Sequence, residues 1–239
     1  MSDKKMEFEK VIIGNATLYR GDCLELLAAG MLKADALVSD PPYGIGFVHG
    51  GGSGLSAQPN LKPIHGDDAP FDPMPWIEAI GGMDAHKNAA VVLFGADHFK
   101  TRLPEGGRFM VWDKSCGQGA ATTFVDAEFM WTNRKNPRCI YRQFWMGAMR
   151  SGEDNQGKSK RSHPSQKPVE LMMWCIETAR IGLGKTILDP FMGSGSTGVA
   201  ALRTGRKFLG CEIDKEYFDI ACQRMEKEMD LFNQTEAAA

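Results

Sequence analysis

Thr186-Ile187-Leu188-Asp189-Pro190-Phe191-Met192-Gly193-Ser194-Gly195-Ser196-Thr197-Gly198 reads as a short apolar strand, a glycine-rich turn and the entry into a helix over Val199 to Leu202. Lys207 to Cys211 follows as a second strand and ends at Glu212. Strand, glycine turn, helix and strand make a unit that builds parallel sheets, because the crossover helix returns the chain to the same edge. Working outward, Ala36 to Val38, Ala89 to Gly95 and Arg108 to Trp112 are further short apolar runs suited to buried strands. Val11 to Tyr19 reads as a strand or hairpin broken at Gly14-Asn15. Glu128 to Trp131 and Cys139 to Trp145 are expected as two more strands, antiparallel.

Helices are expected from Asp22 towards Gly30, through Trp76 to Ile80, from Asp97 to Leu103 and from Val169 to Ile181. The last runs from a cap at Asp214 through Phe218 and Met225. The alternation predicts an α/β fold with a mostly parallel, doubly wound sheet, antiparallel strands at one edge and helices on both faces. The 239 residues are expected to form a single domain. Gly44 to Ala69, rich in Gly and Pro, is expected to be a flap over the ligand edge.

The composition, 43% hydrophobic and 24% charged, is that of a globular protein. Met1-Ser2-Asp3-Lys4-Lys5 leads into no apolar run, which predicts a cytoplasmic chain without a signal peptide. The six cysteines form no C-x-x-C pair, so reduced thiols and no metal site are expected. His65, Asp67 and Asp68 read as a solvated polar loop rather than as metal ligands.

The net charge of −2 hides an asymmetry. Between Arg134 and Lys167, nine Lys and Arg face only Glu153 and Asp154, a net of +7 that leaves −9 elsewhere. Such a band, interleaved with Tyr141, Phe144 and Trp145, is an electrostatic footprint for a polyanion.

Gly193, Gly195 and Gly198 satisfy G-x-G-x-x-G between strand and helix, and Glu212 stands where an acid can hold ribose hydroxyls. Two ligands suit this pattern, a nicotinamide dinucleotide and S-adenosyl-L-methionine. Val199 rather than Lys follows Gly198, so the turn is not a Walker A loop. Asp40-Pro41-Pro42-Tyr43 separates the two. It follows the strand at Ala36 and is a stiff spur, since two prolines fix φ twice and remove two donors. The Asp40 carboxylate and the Pro41 carbonyl offer acceptors to a planar amine, and the Tyr43 ring offers a stacking face. An exocyclic amine is a poor nucleophile because its lone pair is delocalised. Two accepted hydrogen bonds draw it towards tetrahedral geometry and free that pair for attack on a methyl donor.

In these motifs the chain resembles the β class of S-adenosyl-L-methionine-dependent DNA amino-methyltransferases. Four signatures occur in that family's order: Gly21-Asp22-Cys23, Asp40 to Tyr43, His163-Pro164-Ser165-Gln166-Lys167-Pro168, and Asp189 to Thr197 with Glu212 after it. The resemblance implies a Rossmann-like methyltransferase sheet. It implies that Asp22 and Cys23 flank the cofactor's adenine and that Glu212 meets its ribose. Lys167, Asp40, Asp189 and the turn Gly193, Ser194, Gly195, Ser196 and Thr197 would meet its methionine end, and Phe191 would line the pocket. Asp40, Pro41, Pro42 and Tyr43 would act on a base flipped out of double-stranded DNA. Arg134, Lys135, Arg138, Arg142, Lys158, Lys160 and Arg161 would lie in the target-recognition segment, short for the family.

Asp before Pro-Pro-Tyr leans towards adenine N6 over cytosine N4. The absence of a Pro-Cys dipeptide argues against cytosine C5 chemistry. An RNA base, a protein amide and a catalytically silent DNA-binding module stay as alternatives, and a homodimer is left open. The small size fits a solitary or phage-type modification enzyme.

Overall fold

The computed structural model describes residues 8–46, 65–82, 89–117, 125–146, 149–150 and 166–237. In chain order the strands are β1 (Glu9–Ile13), β2 (Ala16–Arg20), β3 (Ala36–Ser39), β4 (Ala90–Phe94), β5 (Arg108–Asp113), β6 (Ala127–Thr132), β7 (Ile140–Arg142), β8 (Trp145–Met146), β9 (Met149–Arg150), β10 (Thr186–Asp189) and β11 (Lys207–Glu212). The helices are α1 (Cys23–Ala28), α2 (Met74–Ala79), α3 (Val169–Thr178), α4 (Ser196–Arg203) and α5 (Lys215–Ala237).

Nine strands form one sheet in the order β1-β2-β11-β10-β3-β4-β6-β5-β7. From β2 to β4 every pairing is parallel. β1 runs against β2, and β6 runs against both β4 and β5. The sheet is therefore mostly parallel, but its antiparallel strands flank the parallel centre on both sides. β3 and β4 are buried at every position. Continuous apolar runs rather than alternating ones are what a strand covered on both faces requires.

The two faces divide by strand parity. Val38, Val92, Ile187 and Phe208 pack against Leu171, Ile176, Val199, Phe218 and Met225 of α3, α4 and α5. Leu37, Val91, Leu93, Leu188 and Leu209 pack against Leu26, Trp76, Ile77 and Phe99 on the other side. Full burial of each such side chain is worth about 1.5–3 kcal/mol, more than helix propensity supplies per residue. These contacts, not propensity, hold short elements such as α1 and α2 in place.

Two expectations change. Cys139 to Trp145 is not one strand. β7 pairs with β5 in parallel, and Trp145 begins a separate hairpin, β8 with β9. The cause is that β6 returns between β4 and β5, so the next segment to reach the edge re-enters in the β5 direction. The helix expected over Asp97 to Leu103 shrinks to a 3-10 turn at Lys100–Arg102. The flap expected after Tyr43 lies, for residues 47–64, outside the described residues. Among the described residues, no helix is long and apolar enough to cross a membrane.

β3 leads to β4 on one side and β10 leads to β11 on the other, while β3 and β10 are neighbours. Strand order reverses at this point, and a crevice opens beyond the carboxyl ends of these two strands. Asp40 follows β3 and Pro190 follows β10, so both sequence motifs emerge at this crevice.

Candidate active site

A cleft of about 1280 Å³ lies at this edge. Asp22, Cys23, Asp40, Pro41, Pro42, Tyr43, Lys167, Asp189, Phe191, Gly193, Ser194, Ser196, Thr197 and Glu212 all line it. The segments before α1, after β3, before α3 and after β10 thus converge with the end of β11, although up to 190 positions separate them in sequence (Asp22 to Glu212).

The glycine turn is built around a buried acid. Asp189 accepts hydrogen bonds from Ser39 Oγ at 2.7 Å, Thr197 Oγ1 at 2.6 Å and the Phe191 amide at 3.2 Å. It ties the ends of β3 and β10 to the start of α4, and burial pushes its carboxyl up to about 6. Asp189 and Thr197, expected to meet the cofactor, thus shape the turn that lines the cleft. Arg224 of α5, which sequence reasoning missed, donates to the Ser194 carbonyl at 2.8 Å and to the Ser194 and Ser196 hydroxyls at 3.1 Å. Gly195 sits behind the turn. A Cβ there would lie 2.9 Å from Met225 Cε, and one at Gly198 only 2.0 Å, so these glycines let α4 close on α5. Gly195, expected to meet the cofactor, has this packing role and is not among the residues that line the cleft.

Glu212 ends β11. Its two oxygens accept the Gly193 amide at 3.0 Å and the Asp214 amide at 2.8 Å. Each oxygen keeps a lone pair for a further donor. Burial pushes its carboxyl up to about 7. Asp22 caps α1 through the Leu24 amide at 2.7 Å, and burial pushes the adjacent Cys23 thiol up to about 12. Phe191 stands edge-on to Phe71 and Trp76, with centroids 5.7 and 5.4 Å away.

Asp40 is the junction of a second network. Its Oδ1 accepts from the Tyr43 hydroxyl at 2.5 Å, and its Oδ2 lies 2.6 Å from Lys167 Nζ. The Tyr43 ring stacks on His98, centroids 5.0 Å apart. Lys167 also reaches Glu128 Oε2 at 3.3 Å, and Glu128 pairs with Lys114 at 2.9 Å. Burial raises the Asp40 pKa, with Lys167 opposing that shift. Burial also works against the charge on Lys167, but Asp40 and Glu128 outweigh it and its pKa rises. Lys167, expected to meet the cofactor, is thus held between two carboxylates. Its partner Glu128, and Lys114 that pairs with Glu128, were missed, as was His98. One signal for Glu128 existed: it shares strand parity with the buried Met130 and Thr132, so an acid stands on an inward-facing position.

The basic band does not form one surface. Arg134 donates to the Ala179 carbonyl at 2.7 Å, and Arg138 lies 3.5 Å from Glu177. Both follow the carboxyl end of β6, which is antiparallel, and both sit against the far end of α3. Arg134, Lys135 and Arg138, expected in the target-recognition segment, therefore lie at the sheet edge opposite the cleft. Arg142 pairs with Asp113 at 3.3 Å, at the cleft edge. Lys158, Lys160 and Arg161 lie outside the described residues. Asp67 accepts the Gly44 and Ile45 amides, and among the described residues no cluster of potential ligands could hold a metal ion.

Residues 109–223 match the family model described as DNA methylase. The chain is 52% identical over 66 residues to the Type II methyltransferase M2.DpnII of Streptococcus pneumoniae, covering 28% of this chain and 24% of the relative. Over 65 residues it is 43% identical to the DNA adenine methyltransferase YhdJ of Escherichia coli (strain K12), covering 27% and 22%. The chain thus spans about a quarter of the length of the curated relatives it matches. Among solved structures, the M1.HpyAVI-SAM complex superposes with a TM-score of 0.57 at 24% identity, covering 88% of this chain and 98% of that one. The cytosine-N4-specific PvuII DNA methyltransferase gives 0.52 at 16% identity, covering 95% and 96%. These likenesses show the fold. Over β5 to α5, the part of the chain that the family model matches, the sequence is similar to the N6/N4 DNA methylases, and the residues of both motif groups line one cleft.

Proposed function

We propose that this protein transfers a methyl group from S-adenosyl-L-methionine to the exocyclic N6 amine of adenine in double-stranded DNA. The observation that carries this reading is the placement of Asp40-Pro41-Pro42-Tyr43 and the Gly193–Glu212 turn on one cleft at the reversal of strand order. YhdJ, named a DNA adenine methyltransferase, supports the choice of base.

The donor set fits the cofactor. Glu212 keeps acceptor capacity for a ribose diol, Asp22 and Cys23 line the neighbouring wall, and Phe191 adds an aromatic surface. S-adenosyl-L-methionine, when bound there, supplies an electrophilic methyl. The chain's own residues then prepare the amine. Asp40, held from both sides by Tyr43 and Lys167, retains lone pairs that accept a hydrogen bond from the NH2 group. The Pro41 carbonyl, on the same spur, is a second acceptor for that amine. A flipped base would enter beside Tyr43 and His98.

The test is incubation of the full chain with duplex DNA and labelled cofactor, followed by nucleoside mass analysis. N6-methyladenine is expected, and Asp40→Ala should abolish it. N4-methylcytosine alone would move the assignment to the other base. Binding of a nicotinamide dinucleotide with no methylated base would overturn the reading.

A further inference from the structure

Lys114, Glu128, Lys167 and Asp40 form a chain of alternating charge. Lys114 Nζ lies 2.9 Å from Glu128 Oε1, Glu128 Oε2 lies 3.3 Å from Lys167 Nζ, and Lys167 Nζ lies 2.6 Å from Asp40 Oδ2. Four separate segments supply the four residues: the ends of β5 and β3, the body of β6 and the turn before α3. Their side chains are largely buried, from 8% exposed at Lys167 to 25% at Glu128. Glu128 Oε2 is itself buried and, among the described residues, makes no well-aligned hydrogen bond. It meets Lys167 as an ion pair at 3.3 Å, and a partly buried acid on an inward-facing strand position calls for a reason beyond stability.

We propose that Glu128, balanced by Lys114, is a positioning residue that holds the Lys167 ammonium between two carboxylates and thereby fixes the orientation and ionisation of Asp40. The proposal rests on the reading of Asp40 as the acceptor for the target amine. Lys167 bound to Asp40 alone could slide between the two Asp40 oxygens. A second carboxylate restricts it to Oδ2 and leaves Oδ1 to Tyr43. Glu128 without Lys114 would place an uncompensated negative charge next to Asp40 and favour the protonated acid, which cannot accept from the amine on that oxygen. Lys114 removes that penalty. The charged and titratable groups acting on Asp40 are Lys167, Glu128, Tyr43 and, across the β3–β10 boundary, Asp189, with Lys114 acting through its pair with Glu128.

The two partners of one ion pair should therefore move Asp40 in opposite directions. Glu128→Gln removes a negative charge and should lower the midpoint of Asp40 ionisation. Lys114→Met removes a positive charge and should raise it. Each change corresponds to a roughly three- to tenfold shift in proton affinity. The double variant should return close to the parent, and Lys114→Arg should match it. The midpoint is read from the carboxyl 13C resonance of Asp40, assigned by its loss in Asp40→Asn, and compared with the acid limb of the kcat–pH profile. A purely structural role would lower stability in both variants without opposing shifts. Unchanged midpoints in the folded variants, or midpoints moving the same way, would overturn the proposal. The resonance does not depend on turnover, so opposed shifts in a protein that methylates no base would keep the charge chain and reject the adenine reading alone.

Discussion

The Tyr43 hydroxyl donates to Asp40 Oδ1 at 2.5 Å, three residues back along the same spur. The tyrosine is therefore more than a ring for stacking. Burial, followed by the Asp40 charge, raises its pKa well above the usual phenol value, so it stays a donor throughout the working pH range. Stacking alone would predict that Tyr43→Phe keeps most activity. The geometry predicts otherwise. A hydrogen bond to a charged group is worth about 1.5–3 kcal/mol, so kcat should fall roughly ten- to a hundredfold in Tyr43→Phe. Steady-state kinetics on duplex DNA check this, and a variant within twofold of the parent would restore the stacking-only view.

The position of that ring depends on Gly95. A Cβ at Gly95 would lie 2.0 Å from Tyr43 Cε1, and Gly95 has φ +63, a conformation that L side chains rarely adopt. Gly95→Ala should therefore cost about 1–2 kcal/mol from the backbone alone. It should also displace Tyr43 from Asp40. Denaturant titration and kcat together check the expectation: both should fall, and kcat should fall at least as far as in Tyr43→Phe.

Much of this arrangement was legible in the sequence. Apolar runs such as Ala90–Phe94 carry their own strand signal, and glycines and prolines mark where the chain turns. The Asp40 and Glu212 motifs could be placed at strand ends for that reason. Partners brought together only by register were not legible. Glu128 reaches Lys167 because β6 enters the sheet antiparallel, between two strands that precede it in sequence, and no local pattern encodes that insertion. The same insertion carries Arg134 and Arg138 to the far edge, so a band continuous in sequence is divided in space. The hydrogen bond from Ser39 to Asp189 is likewise known only once β3 and β10 are neighbours.

That division yields a prediction about DNA. Arg142→Glu, at the cleft edge, should weaken DNA binding and reduce the slope of log affinity against log salt by about 0.9 for each phosphate no longer neutralised. Arg138→Glu, at the opposite edge, should leave the slope unchanged. Fluorescence anisotropy over a salt series separates the two, and equal effects from both substitutions would return the basic band to a single surface.

Glu212 provides a pH test of cofactor binding. Its carboxyl is pushed up to about 7 by burial, so near neutral pH the free protein carries it about half protonated. A ribose diol donates hydrogen bonds, which favours the ionised carboxylate, so binding and deprotonation are linked. The sign follows directly. Above pH 7 the acceptor is already charged and affinity for S-adenosyl-L-methionine should be level. Below pH 7 binding must first expel a proton, and affinity should fall by up to about tenfold per pH unit. Glu212→Gln keeps the size, loses one of the two accepted backbone amides and removes the titration. Its affinity should be about ten- to a hundredfold weaker at pH 8, from loss of a charge-assisted hydrogen bond. Its dependence on pH between 6 and 8 should be flat. Calorimetry across that range on both proteins is decisive, because a Glu212→Gln protein that keeps the parent's slope would place the titrating group elsewhere in the cleft.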